Sequence, residues 1–266
     1  MNNLRPVAQW RPRTFVLLQL ASLLLLASWL MPAGKALWHT VDVPVFRLLN
    51  GSLGHLPGWD LLWALLSTRI ADLLAAIVML CSLLWGGLIF ERHMLRRALL
   101  GFITLLVFTL IIRTLFTRLI GAAGLQHSSP SVFLSGGFSL STAFPWIEQV
   151  LEIKDRSSRS FPGDHASVLL LWIAFLALFA RGKKLLLVCL VGTLFILPRL
   201  VAGAHWLSDN MVGGGFIVLQ TMAWGYYTAA GTVVYRFLQF LATPCFHIAR
   251  HIPWLNRLAI VNIAQH

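Results

Sequence analysis

Two short polar islands in an otherwise apolar chain carry residues suited to phosphate chemistry. The first is Ser160-Phe161-Pro162-Gly163-Asp164-His165-Ala166. The second runs from Pro198-Arg199 through Gly203-Ala204-His205-Trp206 to Asp209. Five residues separate Arg199 from His205, and three separate His205 from Asp209, so on a helix the last two share a face. An aspartate that accepts from one imidazole nitrogen fixes the tautomer and leaves the other nitrogen as a nucleophile. Arg199 offers a planar fork of donors that fits phosphate oxygens. His165 is placed to protonate a leaving oxygen, and Pro162-Gly163 at a helix start offers the Gly163 N–H to an anion. Together these residues make a phosphoryl-transfer site with a histidine nucleophile, no metal and no cofactor. Singly, each has a plainer role: a hydrogen-bonded structural histidine, a snorkelling interface arginine, an aspartate helix cap. In a chain this poor in charge, three coincident spacings at one depth favour the site.

The elements that must position these residues follow from composition. Of 266 residues, 58% are hydrophobic and 11% charged, against about 25% charged in soluble domains. That excludes a soluble domain and a disordered chain. The fold class expected is all-α, a polytopic membrane helix bundle with six transmembrane helices and an outer-face active site. A span needs roughly 20 apolar residues. Six segments qualify: Thr14 to Pro32, Asp72 to Phe90, Ala98 to Arg118, Ala166 to Ala180 with residues near Asp164, Lys184 to Ala202, and Met211 to Tyr235. The first is read as a retained helix, although its exit resembles a signal cleavage site. Leu61 to Leu66 is too brief to span and belongs in the interface or against the bundle. Cys81, Cys189 and Cys245 show no metal or disulfide spacing and read as packing residues.

Charge sets the orientation. The formal net charge is +12. Twelve basic residues fall on the side of both termini: Arg5, Arg11, Arg13, Arg92, Arg96, Arg97, Arg181, Lys183, Lys184, Arg236, Arg250 and Arg257. Only Glu91 opposes them, so that side is cytoplasmic, and its anionic headgroups account for the excess. The other nine share the outer side with eight acids, and six of those nine lie between Arg113 and Arg199. A basic cluster there calls for an anionic ligand. With the basic residues dispersed over loops and no recognition motif, no nucleic-acid role is expected. Residues 1–235 are expected as one six-span domain and 236–266 as a basic amphipathic cytoplasmic tail. Phe133, Phe138, Phe144 and Trp146, in the longest polar connection, read as a membrane belt in preference to a flap over a lipid cleft.

At the two islands the chain resembles the type-two phosphatidic acid phosphatase superfamily. Arg199, His205 and Asp209 follow its third motif, with Pro198 where that motif has serine. Pro162-Gly163-Asp164-His165 follows its second, with Gly163-Asp164 where it has Ser-Gly. The first motif, a lysine separated by six residues from Arg-Pro, is not cleanly present; Arg113, Arg118 and His127 are candidates for its basic roles. Phe161 to His165, Pro198-Arg199 with Gly203 to Trp206, and Ser128-Ser129-Pro130 ahead of Lys154-Asp155 resemble one branch, the lipid A 1-diphosphate synthases.

The resemblance implies a bacterial inner-membrane enzyme with a periplasmic site. His205 would take a phosphoryl group from undecaprenyl pyrophosphate as phosphohistidine, Asp209 would orient it, and Arg199, Gly163 and Arg118 would hold phosphate. His165 would protonate the leaving undecaprenyl phosphate, and the 1-phosphate of lipid A would accept the group among the inner-membrane lipids. Asp164 beside an anion site needs a cation, for which Lys154, Arg156 or Arg159 are candidates, or else it caps its helix. Arg69 and Asp72, three apart, are expected as a salt bridge at the rim. Water as acceptor would make the same site a lipid phosphatase on undecaprenyl pyrophosphate or phosphatidylglycerophosphate. A transporter or structural protein would instead show broken helices and charges within spans.

Overall fold

The computed structural model describes residues 6–261. Arg5 and the last five residues of the tail lie outside them. Among the described residues all regular secondary structure is helical, apart from one isolated bridge between Thr68 and Ile153. Three helices are long and apolar enough to cross a membrane: α1 (Pro12–Leu30), α5 (Leu95–Ala122, with the preceding turn Arg92–Met94) and α10 (Lys183–Val201).

The other three expected spans take shorter or broken forms. The second is α4 (Arg69–Leu84), of 16 residues, ending before Trp85-Gly86-Gly87. The fourth is α9 (Asp164–Ala177), of 14 residues, where Arg181 turns back to donate to the carbonyls of Ala177, Leu178 and Ala180. Those are the orphan acceptors of a helix end, and a cation suits them. The sixth begins within a π-turn that Asp209 opens two residues earlier (Asp209–Gly214), continues as α11 (Gly215–Thr221), and ends in a second π-turn at Met222–Tyr226. The chain then breaks at Tyr227–Thr228, short of the expected end at Tyr235, and α12 (Ala229–Arg250) begins. The break is tolerable because the N-terminal segment supplies donors. Gln9 N–H reaches Tyr226 O at 2.7 Å, and Arg11 N–H reaches Tyr227 O at 3.4 Å. The charged residues of this region, Arg199 and Asp209, stand at helix ends, unlike the mid-span charges of a transport path.

Core packing centres on α9. Leu171, Trp172, Phe175 and Leu176 are buried against α4, α5 and α10, and Trp172 Nε1 donates to Ser82 of α4 at 2.9 Å. A satellite core lies under the 127–161 connection. There α3 (Pro57–Leu66) buries Trp63 and Ala64 against Leu140, Ile147, Val201 and Ala202. The brief apolar stretch thus leans on the bundle. Three short helices punctuate the connection: α6 (Pro130–Phe133), α7 (Leu140–Ala143) and α8 (Pro145–Leu151).

One long helix was not foreseen. α2 (Pro32–Asn50) is too polar to read as a span, but it buries Asp42, Phe46 and Asn50, spaced by four along one face. Asn50 ties the connection to the end of α10 by donating to Phe138 O and Val201 O and accepting from Phe138 N–H. α12 buries only Gly231 and Tyr235 and exposes Val233, Phe237, Phe240 and Ile248. The chain beyond it folds back so that Arg96 of α5 donates to Ile260 O and Val261 O. Cys81 and Cys245 are exposed and Cys189 half-buried, so packing does not explain the first two.

Candidate active site

The site is assembled where α10 ends. Arg199 occupies its last turn, and Gly203, at φ +80, reverses the chain so that His205 faces back toward it. A Cβ at Gly203 would lie 2.7 Å from the Phe46 ring, so glycine is required twice over, by the backbone and by space. The segment Ser128-Ser129-Pro130-Ser131 works as a bracket around this turn. Ser128 O accepts from Trp206 Nε1, Ser129 pairs with Ser157, and Ser131 bonds Gly203 O and Asp155 O. These serines bind backbone and do not line the cavity described below.

His205 Nδ1 lies 2.8 Å from Ser160 O. A carbonyl only accepts, so Nδ1 carries the proton and Nε2 keeps its lone pair in the neutral ring. Asp209 Oδ2 faces the same nitrogen from 3.5 Å and accepts Trp206 N–H at 2.8 Å. The tautomer expected from Asp209 alone is therefore set more closely by Ser160, with Asp209 acting by charge. The other oxygen of Asp209 accepts from His127 Nε2 at 2.8 Å. Asp209 is fully buried and precedes the sixth apolar segment. Burial opposes its charge, but the two imidazoles outweigh burial and hold the carboxyl below its usual range.

Arg199 is 6% exposed and already engaged. Nη2 meets both oxygens of Asp72, at 2.7 and 2.9 Å, and Nη1 donates to Ser67 O and Lys154 O. Asp72 also lies 3.4 Å from His165 Nδ1, while His165 Nε2 donates to Phe195 O at 2.9 Å. The expected Arg69–Asp72 rim pair is not formed. Arg69 and Lys154 instead both grip Glu152, whose carboxyl is pulled down to about 2 by those two hydrogen bonds. Sequence reading left Asp72 out of the site; a lone acid heading an apolar helix was the available signal. Asp72→Asn leaves Arg199 without its counter-charge and His165 Nδ1 without its carboxylate. A lost charged hydrogen bond is worth about 1.5–3 kcal/mol, so turnover falls roughly 10- to 100-fold and thermal stability drops, measurable by steady-state assay and thermal unfolding in detergent.

Two further expectations are corrected. Gly163 N–H is not offered to an anion, because it donates to Asp209 O at 3.0 Å. Glycine is needed here for closeness: a Cβ would sit 2.3 Å from Asn210 Oδ1 and 3.1 Å from Asp209 O. Gly163→Ser should destabilise by about 1–3 kcal/mol through overpacking, and Asn210→Ala should restore part of the loss in a thermal melt. Asp164 is met by Arg113, at 3.7 Å, in place of Lys154, Arg156 or Arg159. Arg113 lines the cavity, whereas Arg118 is exposed elsewhere on α5. Arg156 pairs with Glu148 at 3.5 Å, and Arg159 is exposed on the cavity wall. Of the connection's aromatics, Phe133 and Trp146 are exposed, and none of the four lines this cavity.

The cavity holds about 840 Å³. Its polar end brings together His165, His205 and Arg199. Six cations line it, Arg69, Arg113, Lys154, Arg156, Arg159 and Arg199, against two carboxylates, Asp72 and Asp164. From there an apolar trench continues between α4, α5 and α9, walled by Met79, Leu83, Phe102, Leu106, Val168 and Leu169 among others. Arg69 to Leu83 spans about 21 Å of helix at 1.5 Å per residue. The shape suits an anionic head with a long hydrocarbon tail. Among the described residues, no three His, Cys, Asp or Glu side chains are grouped to hold a metal ion.

Residues 104–234 match the PAP2 superfamily. That region holds His127, His165, Arg199, His205 and Asp209, while Arg69 and Asp72 reach its cavity from outside it. The chain is also 28% identical over 214 residues to a protein named lipid A 1-diphosphate synthase from Escherichia coli (strain K12), covering 79% of this chain and 85% of that one. No solved structure matches it. The PAP2 match and this likeness support a lipid phosphatase or phosphotransferase.

Proposed function

We propose that the protein is an inner-membrane phosphotransferase that moves a phosphoryl group from undecaprenyl pyrophosphate to the 1-phosphate of lipid A on the periplasmic side. The observation that carries this reading is the single cavity joining His205, His165 and six cations to an apolar trench between α4, α5 and α9. The acceptor is taken from the name of the E. coli relative.

In the reaction, His205 Nε2 attacks the terminal phosphorus, forming an N–P bond as the bond to the bridging oxygen breaks. Undecaprenyl phosphate leaves, its oxygen protonated by His165 in the imidazolium form, in which Nε2 stays on Phe195 O and Nδ1, beside Asp72, gives up the second proton. Ser160 O and Asp209 stabilise the charge that His205 gains. Arg113, Lys154 and Arg159 offset the phosphate charge at the mouth, and Arg199 joins them by exchanging Asp72 for a phosphate oxygen. An oxygen of the acceptor 1-phosphate then attacks phosphorus, the N–P bond breaks, and the diphosphate forms.

Reconstitution with donor labelled in its terminal phosphate, with and without lipid A, tests the reading. Label should appear in lipid A. Label found only in inorganic phosphate would make the protein a lipid phosphatase, and no turnover of either kind would overturn both.

A further inference from the structure

A second cavity, of about 280 Å³, lies on the far side of Asp209 from the larger one. It is bounded by the end of α1, the start of α2, the Ser128 bracket and the turn after His205. Its walls are the indole rings of Trp29, Trp38 and Trp206. Its polar groups are distinctive. The Lys35 ammonium sits 5.6 Å from the centre of the Trp29 ring, with no carboxylate paired to it among the described residues. His39 lies 6.4 Å from the Trp206 ring, and His127 opens onto the same space. The one acid present, Asp42, is already satisfied: its two oxygens accept Ser208 N–H at 2.8 Å and Ser208 Oγ–H at 2.6 Å.

Flat apolar ring faces suit the C–H faces of a sugar, and an ammonium with neighbouring imidazoles suits hydroxyls and phosphate. The volume is close to the lower end of small-molecule pockets, about 300 Å³. Asp209, fully buried, stands between the two cavities and contacts a histidine of each. Its Oδ1 is 2.8 Å from His127, which lines the small cavity, and its Oδ2 is 3.5 Å from His205, which lines the large one. We infer that the small cavity is a subsite for a phosphorylated sugar, the headgroup of the phosphoryl acceptor, separate from the trench that holds the donor. This rests on the transferase reading for its biological use, but the binding itself does not.

The test uses the full chain in detergent and two probes, the acyl-free glucosamine disaccharide bisphosphate and inorganic phosphate, followed by calorimetry. Lys35→Ala and Trp38→Phe are chosen because Lys35 is exposed and phenylalanine keeps most of the Trp38 packing. Both variants should weaken binding of the sugar probe at least fivefold and leave inorganic phosphate unchanged. In the labelled-donor assay, Lys35→Ala should lower the ratio of label in lipid A to label in inorganic phosphate at least tenfold. A wild type that does not bind the sugar probe, or variants that bind it as well as wild type, overturns the subsite. If sugar binding is lost in the variants while wild type labels no lipid A, the transferase reading falls and the subsite stands.

Discussion

Replacing His205 with alanine should abolish turnover, by about four to six orders of magnitude, the scale seen when a catalytic nucleophile is removed. The size follows from the geometry. Ser160 O holds the Nδ1 proton at 2.8 Å, so Nε2 is the nitrogen left to attack. His205 is largely buried but lies in a turn at the cavity wall, so the truncated protein keeps its fold. Single-turnover reaction with labelled donor, quenched in base, should trap an acid-labile phosphoprotein in wild type and none in the variant. Label persisting in His205→Ala, or turnover within a factor of ten of wild type, would remove His205 from the nucleophile role.

Asp209→Asn is expected to cost about three to four orders of magnitude, comparable with replacing the buried aspartate of a serine-protease triad. The substitution is isosteric, so packing is retained while hydrogen-bond logic fails. Trp206 N–H demands an acceptor at Oδ2, which sends the new amide NH₂ toward His127. His127 must then present a lone pair where it now presents a proton, and His205 loses the anion 3.5 Å from its Nδ1. The pH dependence separates this from a simple loss of stability. The wild-type carboxyl is held below the ordinary carboxylate range. A depressed carboxyl contributes its stabilisation fully above its unfolded value, near 3.9, and loses it only as pH falls through the lower folded value. Asp209 thus stays ionised across neutrality, and the wild-type to variant ratio should be constant between about pH 5 and 8. A ratio that collapses toward one within that window would contradict the assignment.

How far the site was legible varies by residue. Arg199, His165, His205 and Asp209 were readable because they stand in two short polar islands of an apolar chain, and the structure brings them to one place where Gly203 turns the chain after α10. The partner of Arg199 was not readable: Asp72 lies 127 positions away, and its nearer sequence neighbour Arg69 goes to Glu152. The choice between Arg113 and Arg118 was also closed to sequence, since five residues on a helix put two side chains on faces about 140° apart and only packing decides which face meets the cavity. Gly163 was misjudged for a related reason. Its N–H is consumed by a backbone carbonyl, and a carbonyl has no side-chain signature. The polar helix α2 escaped notice because search by hydropathy rewards apolar runs, while its burial of Asp42, Phe46 and Asn50 is a matter of one face.

By itself, the sequence determined that this is a helical chain with apolar segments of membrane-crossing character, and it singled out the histidines, arginine and aspartate that the fold gathers at one cavity. Both are local properties, written in composition and in spacing over a few residues. The tertiary structure alone decided that Ser160 sets the His205 tautomer, that Asp72 holds Arg199 beside His165, that His127 shares Asp209 with His205, and that the sixth apolar segment breaks where the N-terminus can satisfy it. Each is a contact between distant positions, and its energy depends on directed hydrogen bonds and close packing that no local pattern encodes.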